Sequence, residues 1–385
     1  MAINRFPWMG LFSQMGLRWP LSALLAILVP QYAVPAAPQD AAPPADRPGQ
    51  VDVFTSGTEG YHTYRIPGVV VTNGGTLLAF CEGRKTGSGD QGDIDLVLRR
   101  STDGGKSWGP MQLVHEEGGT AKITIGNPCP VVDRQTGTVW LPFCRNNDRV
   151  FVTKSTDDGK SWAAPTEITR SVKGPNWAWY ATGPGHGIQL SSGRLLIPCD
   201  HSVGGEPGWD KQGYSHVLLS DDHGATWKLG GSTEMKMDEC EAVELAGGSI
   251  LLCMRNYVKP SQRAFATSRD GGLSWSKPAK HPQVHCPVCQ ASIQRYSLPP
   301  GKNRVLYSGP GGPGRTHLTI RLSYDEGANW PVAKVLHPGP AAYSDLVVLP
   351  DGTIGCLYER GAKRAYEKIT FARFTLAWLT DGQDR

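Results

Sequence analysis

The sequence lacks an excess of charge of either sign and lacks an apolar run of membrane-spanning length near its start. Its 385 residues carry 39 Lys and Arg against 35 Asp and Glu, a formal charge of +4. A chain this close to neutral gives no reason to expect nucleic acid or an anionic membrane surface as a partner. The apolar stretch 19–29 contains a proline and is shorter than the roughly 20 residues that span a bilayer. We therefore expect no membrane insertion.

Cysteine is absent before Cys81, which excludes a lipid-modified N-terminal cysteine. The chain opens with a basic region containing Arg5 and Arg18, then the apolar stretch, then small residues at 33–37. This order is typical of a secretory signal peptide; a membrane anchor is the alternative. We expect a cleaved signal peptide at 1–37, a Pro- and Ala-rich linker at 38–50, one domain at 51–385, and a secreted or periplasmic protein.

The nine cysteines do not form a recognisable metal pattern. Most lie in apolar, strand-like text, where small buried thiols are the usual outcome. Cys286 and Cys289 beside His285 suggest zinc, but no second ligand pair of suitable spacing accompanies them, which favours a loop. The acids from Asp90 to Asp95 suggest calcium, but their spacing does not fit the standard calcium loop. The sequence predicts no metal and no cofactor.

No helical period of useful length occurs after residue 50, and one eight-residue pattern recurs five times. The pattern is S-x-D-x-G-x-[S/T]-W, and its copies begin at Ser101, Ser155, Ser220, Ser268 and Ser323. Asp and Ser/Thr side chains stabilise tight turns, Gly supplies backbone freedom, and Trp anchors the turn. Only the last copy departs, with Asn329 at the Ser/Thr position. Short strands with a recurring turn at this spacing predict the blades of a β-propeller.

The spacing of the repeats also predicts the size of the ring. Residues 51–385, at roughly 55 residues per blade, give six blades of four antiparallel strands, five of them with such an Asp-box turn. The sixth blade is assembled from 344–348, 353–358 and 369–379. We expect residues 51–54 to close the ring by pairing with these last strands.

Charged and tyrosine residues at strand ends form the candidate site, because the inner strands of a propeller converge over its central channel. They lie in Tyr64-Arg65-Ile66-Pro67, Glu82-Gly83-Arg84, the loop with Asp90, Asp238-Glu239-Cys240-Glu241, Arg255-Asn256, Arg315-Thr316, Tyr343-Ser344-Asp345-Leu346 and Tyr358-Glu359-Arg360. Together with the five boxes, Tyr-Arg-Ile-Pro and Tyr-Ser-Asp-Leu in this order resemble the exo-α-sialidases (neuraminidases) of bacterial and animal type. The resemblance runs from about Tyr61 to Leu379.

The resemblance implies a role for each candidate. Arg65, Arg255 and Arg315 clamp the substrate carboxylate, Glu359 holds Arg65, and Arg84 lies on the substrate's 4-hydroxyl side. Tyr343 is the nucleophile, Glu239 its base, and Asp90 the acid and then the base for water. These residue types suit the chemistry: guanidinium matches carboxylate bidentately, and a neutral phenol avoids the repulsion that a carboxylate nucleophile would meet. Glu241 and Glu244 are alternatives to Glu239, and Asp93 and Asp95 to Asp90.

The predicted function is therefore hydrolysis of terminal α-linked sialic acids from glycoproteins, glycolipids and oligosaccharides, with retention and through a tyrosyl-enzyme intermediate, by a monomer. Alternatives are hydrolysis of a related nonulosonic acid, transfer of sialic acid to a sugar, and a non-catalytic sugar-binding propeller. Trp177, Trp179 and Tyr180 are candidates for an aromatic rim, with packing within the blade as the alternative.

Overall fold

The computed structural model describes residues 47–204, 212–234, 236–259, 261–285 and 287–384. The predicted signal peptide, and the linker as far as residue 46, lie outside these ranges. The first strand begins at Gly49, two residues before the predicted domain boundary. Within the described ranges, no helix has the length and apolarity needed to cross a membrane.

Short strands make up nearly all of the regular structure. The first twelve are β1 Gly49–Thr55, β2 Thr63–Val71, β3 Leu77–Arg84, β4 Ile94–Ser101, β5 Gln112–His115, β6 Ile125–Gly126, β7 Val131–Val132, β8 Val139–Arg145, β9 Arg149–Ser155, β10 Thr166–Glu167, β11 Trp177–Thr182 and β12 Ile188–Gln189. The others are β13 Leu195–Val203, β14 Gly213–Ser220, β15 Lys228–Ser232, β16 Met237–Glu244, β17 Ile250–Asn256, β18 Gln262–Ser268, β19 Ala279–His285, β20 Ser292–Ser297, β21 Arg304–Pro310, β22 Thr316–Ser323, β23 Val332–Val348, β24 Ile354–Arg360 and β25 Lys368–Phe374. Two single-turn helices, α1 Thr169–Val172 and α2 Leu376–Leu379, accompany them.

The strands form small antiparallel sheets in a propeller-like arrangement, which confirms the predicted all-β class. Two sheets have four strands, β2 to β5 and β16 to β19. Two have five strands and are centred on β8 and on β13. The last sheet has seven strands in the order β1-β25-β24-β23-β22-β21-β20.

The prediction of six separate four-stranded blades is wrong, because strand β23 joins two groups of strands into one sheet. This strand has 17 residues. Its first half pairs with β22 as far as Pro340, and its second half pairs with β24 from Ala341 onward. A ladder that continues along one strand leaves no boundary between neighbouring blades. The predicted closure is confirmed, since β1 pairs with β25 and Val51 lies opposite Phe371.

Apolar side chains between neighbouring sheets form the core. Leu78 and Phe80 from β3 pack in one cluster with Leu141 and Phe143 from β8, and all four are fully buried. Burying such a side chain stabilises a fold by roughly 1.5–3 kcal/mol. Packing of one sheet face on the next therefore holds the inner strand ends, and the polar residues on them, at fixed positions.

The five repeats share one set of hydrogen bonds. Each begins with the last residue of a strand, and in the first copy Ser101 Oγ donates to Asp103 Oδ1 at 2.8 Å while Gly105 N donates to Ser101 Oγ at 2.8 Å. Ser107 donates its N–H to Oδ1 at 3.0 Å and its hydroxyl to Oδ2 at 2.6 Å. In the fifth copy the amide of Asn329 donates to Asp325 Oδ2 at 2.8 Å, so it replaces the missing hydroxyl.

We expect Asp157→Ala to lower the free energy of unfolding by about 1–2 kcal/mol, because it leaves the amides of Lys160 and Ser161 without their acceptor. Hydrogen bonds from Ser161 already hold the pKa of Asp157 below its usual range. Asn329→Ser, which keeps a donor to its aspartate, is the matched control and should change stability by less than about 0.5 kcal/mol. Urea titration measures both, and an equal loss in the two variants would contradict the role given to the aspartate.

Candidate active site

Three arginines from distant parts of the chain surround one tyrosine. Arg65 lies in β2, Arg255 in β17, and Arg315 directly before β22. Arg65 Cζ and Arg315 Cζ lie 5.0 and 5.3 Å from the ring centroid of Tyr343. Arg255 Nη1 donates to the Tyr343 hydroxyl at 3.0 Å. The structure thus brings together the three guanidinium groups and the phenol that the sequence analysis selected.

Glu359, from β24, fixes both Arg65 and the strand that carries Tyr343. Its Oε1 accepts from Arg65 Nε at 2.7 Å and from Ile66 N at 3.0 Å, and its Oε2 accepts from Tyr343 N at 3.2 Å. The carboxylate is fully buried. Burial alone would lower the pKa of Arg65, but Glu359 outweighs it, so the pKa is raised and the guanidinium stays charged.

Of the three candidates for the base, Glu239 contacts the phenol of Tyr343, whereas Glu241 and Glu244 bond to other groups. The Tyr343 hydroxyl donates to Glu239 Oε1, and Arg255 Nη1 donates to Glu239 Oε2 at 2.6 Å. Burial, together with the Glu239 carboxylate, raises the pKa of Tyr343 well above its usual range, although the arginines act in the opposite direction. The phenol is therefore neutral at rest, with a carboxylate in place to receive its proton. Glu244 instead pairs with the hydroxyl of Ser191 at 2.7 Å.

Asp90 stands at the entrance of the site, on the loop between β3 and β4. Its Oδ1 accepts from Arg84 Nη1 at 2.8 Å and lies 3.9 Å from Arg65 Nη1, and its side chain is 71% exposed. Asp93 and Asp95 are instead neutralised by Lys85, at 3.0 and 3.1 Å. Of these three acids, only Asp90 is open to solvent beside the arginines.

More residues line the cavity of the site than were predicted from the sequence. Its volume is about 550 Å³. Its lining includes Arg84, Asp90, Glu239, Arg255 and Tyr343, and also Glu82, Gln91, Asn127, Asn147, Trp179, Asp200, Asp238 and Tyr257. Of the three aromatic candidates only Trp179 lines it. Tyr180 is fully buried, and Trp177 stacks on His201 with ring centroids 3.4 Å apart.

The cavity also has an acidic wall, for which no role was predicted from the sequence. Asp238 Oδ2 accepts from Tyr257 at 3.0 Å and lies 3.0 Å from Arg255 Nε. Burial raises the pKa of Asp238 to about 6. Burial also raises the pKa of Asp200 well above its usual range, and Asp238 adds to the effect. Asp238 adjoins Glu239 in sequence and was within reach of the analysis, but no motif marks Asp200.

A buried cluster lies beside the strand that carries Tyr343. His186 Nδ1 and Asp345 Oδ1 are 2.6 Å apart, Asp345 Oδ2 accepts from Val69 N at 2.6 Å, and Ser292 donates to Glu241 Oε2 at 2.7 Å. His186, Glu241 and Asp345 offer three atoms within 4.8 Å of one another, as a metal site would. The short contact between histidine and Asp345 is a hydrogen bond, however, so these residues are engaged with one another. Through the bond from Val69 to Asp345, the cluster ties β2 to β23.

We expect the stability contributed by His186 to be lost as the pH rises. Burial alone would lower the pKa of His186, but Asp345 and then Glu241 outweigh it and raise the pKa from 6.5 to about 9. The stabilisation, roughly 3 kcal/mol, is therefore complete below about pH 6.5 and disappears as the pH approaches 9. Urea unfolding of His186→Gln should differ from wild type most at pH 6 and least at pH 9.5. His223→Gln is the control, since His223 pairs with Asp133 but is half exposed; a gap for His186→Gln that does not narrow with pH would contradict the expectation.

Comparison with known proteins places the chain in a class. A family model for a BNR repeat-like domain matches residues 75–356. The sialidase of Micromonospora viridifaciens is 36% identical over 390 residues, which cover 93% of this chain and 58% of that protein. Sialidase-3 of Bos taurus is 33% identical over 387 residues, covering 81% of this chain and 89% of that protein. Among solved structures, the Hadza microbial sialidase Hz136 superposes with a TM-score of 0.77 at 29% identity, covering 86% of this chain and 69% of that one.

These matches define a BNR repeat-like β-propeller protein. The chain belongs to the sialidase family, which confirms the resemblance seen in its sequence. It spans somewhat less than three fifths of the length of the Micromonospora relative.

Proposed function

We propose that the protein is an exo-α-sialidase that hydrolyses terminal α-linked sialic acids from glycoproteins, glycolipids and oligosaccharides. One observation carries the proposal: three guanidinium groups surround a buried phenol whose proton already points at a carboxylate. Cations around a neutral nucleophile suit a sugar that carries a carboxylate on its anomeric carbon. A non-catalytic sugar-binding propeller would have no use for the pairing of Tyr343 with Glu239.

Binding orients the substrate through its carboxylate. Guanidinium groups of Arg65, Arg255 and Arg315 donate to the two carboxylate oxygens, and this places the anomeric carbon next to the Tyr343 hydroxyl. Arg84 is held by Glu82 at 2.6 Å and by Asp90 at 2.8 Å. It faces the sugar ring of the bound substrate from the side of Asp90. The 4-hydroxyl of the sugar is the group that we assign to Arg84.

The reaction proceeds in two displacements at the anomeric carbon. In the first, Tyr343 oxygen forms a bond to this carbon, Glu239 takes the phenol proton, and the bond to the leaving oxygen breaks as Asp90 protonates it. In the second, Asp90 takes a proton from water, the water oxygen bonds to the carbon, and the tyrosyl bond breaks as Glu239 returns the proton. Two inversions give overall retention.

The decisive experiment is release of 4-methylumbelliferone from its α-sialoside by the full chain, with loss of sialic acid from a sialylated oligosaccharide measured in parallel. We expect both reactions. Activity only on a different nonulosonoside would change the substrate, and formation of a new sialyl-sugar in place of free sialic acid would change hydrolysis to transfer. A wild-type protein inert in every one of these assays would contradict the enzymatic proposal.

A further inference from the structure

Tyr366, which the sequence analysis did not select, touches two of the three clamping arginines. It lies in the connection between β24 and β25. Its ring centroid is 4.0 Å from Arg65 Cζ, and its hydroxyl accepts a hydrogen bond from Arg315 Nη1 at 2.7 Å. Tyr366 is half-buried. One side chain therefore bridges the arginine of β2 and the arginine that precedes β22.

Arg65 Cζ lies over the ring of Tyr366, and the contact uses none of the N–H groups of the guanidinium. A carboxylate binds guanidinium in the plane of the group, through the N–H bonds, whereas an aromatic ring covers the π face. Glu359 takes the Nε–H of Arg65. The ring of Tyr366 therefore supports this guanidinium without taking an N–H group that a substrate oxygen could use.

Arg315 depends on Tyr366 in a different way. Arg65 is paired with Glu359, and Arg255 with Asp238 and Glu239. In the described part of the chain, by contrast, no carboxylate lies within 4.0 Å of the Arg315 guanidinium; its partners there are the Tyr366 hydroxyl and the carbonyl of Val288 at 3.3 Å. Neutral groups orient Arg315 and leave its charge uncompensated, so the charge remains available to an anionic substrate.

The connection that presents Tyr366 is itself tightly held. The carboxylate of Glu367 accepts from the backbone N–H groups of Ala362, Lys363 and Arg364 at 2.9–3.0 Å. Ser56 Oγ donates to the carbonyl of Tyr366 at 2.8 Å. A Cβ added at Gly361 would lie 1.9 Å from the carbonyl oxygen of Arg364. The phenol is therefore presented by a folded, hydrogen-bonded turn.

We propose that Tyr366 is a positioning residue that orients Arg65 and Arg315 for the carboxylate of the substrate. The proposal rests on the proposed sialidase function and assigns to Tyr366 no contact with the reacting atoms. The ring restrains one guanidinium, the hydroxyl restrains the other, and the substrate carboxylate meets both groups already aligned. Pre-alignment lowers the entropic cost of binding, so the effect falls on affinity.

Two variants separate the two contacts. Tyr366→Phe keeps the ring on Arg65 and removes the hydrogen bond to Arg315, and we expect KM for a sialoside to rise about tenfold with kcat within about twofold. Tyr366→Leu removes both contacts, and its KM should rise further, by about thirtyfold or more. Tyr296→Phe is the matched control, because the Tyr296 ring also lies near an arginine, Arg304 at 5.7 Å, but this arginine is not one of the three that surround Tyr343. It should leave KM unchanged.

A second measurement ties the effect to the carboxylate. Calorimetry compares binding of the unsaturated sialic acid analogue with binding of its methyl ester, which lacks the anionic charge. Tyr366→Phe should weaken the acid by about tenfold and leave the ester within about twofold of wild type. Equal losses for acid and ester would show a general structural defect and overturn the proposal, as would variants with wild-type KM and affinity. A wild-type protein that hydrolyses no sialoside would refute the proposed function instead, so the two failures are distinct.

Discussion

Tyr343→Phe is expected to lower kcat/KM for 4-methylumbelliferyl sialoside by at least about 1000-fold, because it removes the attacking oxygen while keeping the ring. Glu239 and Arg255 remain paired with each other at 2.6 Å, so the wall of the cavity keeps its charges. The three arginines also remain, and the unsaturated analogue should bind within about threefold of wild type. Steady-state kinetics and calorimetry on the same preparation measure the two quantities.

Tyr358→Phe is the matched control for this variant. Tyr358 is a fully buried tyrosine of β24 whose hydroxyl bonds to Gln50, at 3.1 Å, and it does not line the cavity. Loss of the Tyr358 hydroxyl should lower the free energy of unfolding slightly and change kcat/KM by less than about twofold. If Tyr343→Phe turned over at the rate of this control, Tyr343 would not be the nucleophile, although the sialidase activity itself would stand.

The effect of Asp90→Asn should depend on the leaving group. A sugar alkoxide is a poor leaving group and needs a proton, so we expect kcat/KM for a sialylated oligosaccharide to fall by about 100- to 10,000-fold. 4-Methylumbelliferone leaves without a proton. The kcat/KM for its sialoside, which reports the first displacement, should therefore fall by less than about tenfold. Exposure of Asp90 and its contact with Arg84 fit a group that meets the departing oxygen at the entrance.

Asp93→Asn provides the comparison on the same loop. Asp93 pairs with Lys85 at 3.0 Å and is not among the residues that line the cavity of the candidate site. We expect Asp93→Asn to lower kcat/KM only slightly, and by the same factor for the two substrates. A loss in Asp90→Asn that is the same for the two leaving groups would argue against an acid role and for a role in binding.

The residues of the site that could be predicted were those carried by short motifs. Tyr-Arg-Ile-Pro and Tyr-Ser-Asp-Leu mark Arg65 and Tyr343 locally, and the structure places both where the arginines meet. The sequence offered three acids for the base, Glu239, Glu241 and Glu244. Only the contacts made in the fold separate them. Glu239 meets Tyr343, Glu241 lies with His186, and Glu244 bonds to Ser191.

What the sequence could not show depends on contacts between distant segments. Tyr366 and Arg315 are 51 residues apart, and His186 and Asp345 are 159 apart. Neither pair has a local pattern, since each joins segments that only the fold brings together. The blade count was wrong for a similar reason: the repeats count the turns, but only the hydrogen-bonded ladder shows that β23 belongs to two groups of strands.

The central claim is that Tyr343 becomes covalently bonded to the anomeric carbon of a sialic acid. A fluorinated sialosyl fluoride slows the second displacement, because fluorine beside the anomeric carbon destabilises the positive charge that develops there. Mass spectrometry of the protease-digested protein should then show one added fluorosialosyl group on the peptide that contains Tyr343. An enzyme that consumes this reagent while the Tyr343 peptide keeps its unmodified mass, or carries the group on another residue, would contradict the account.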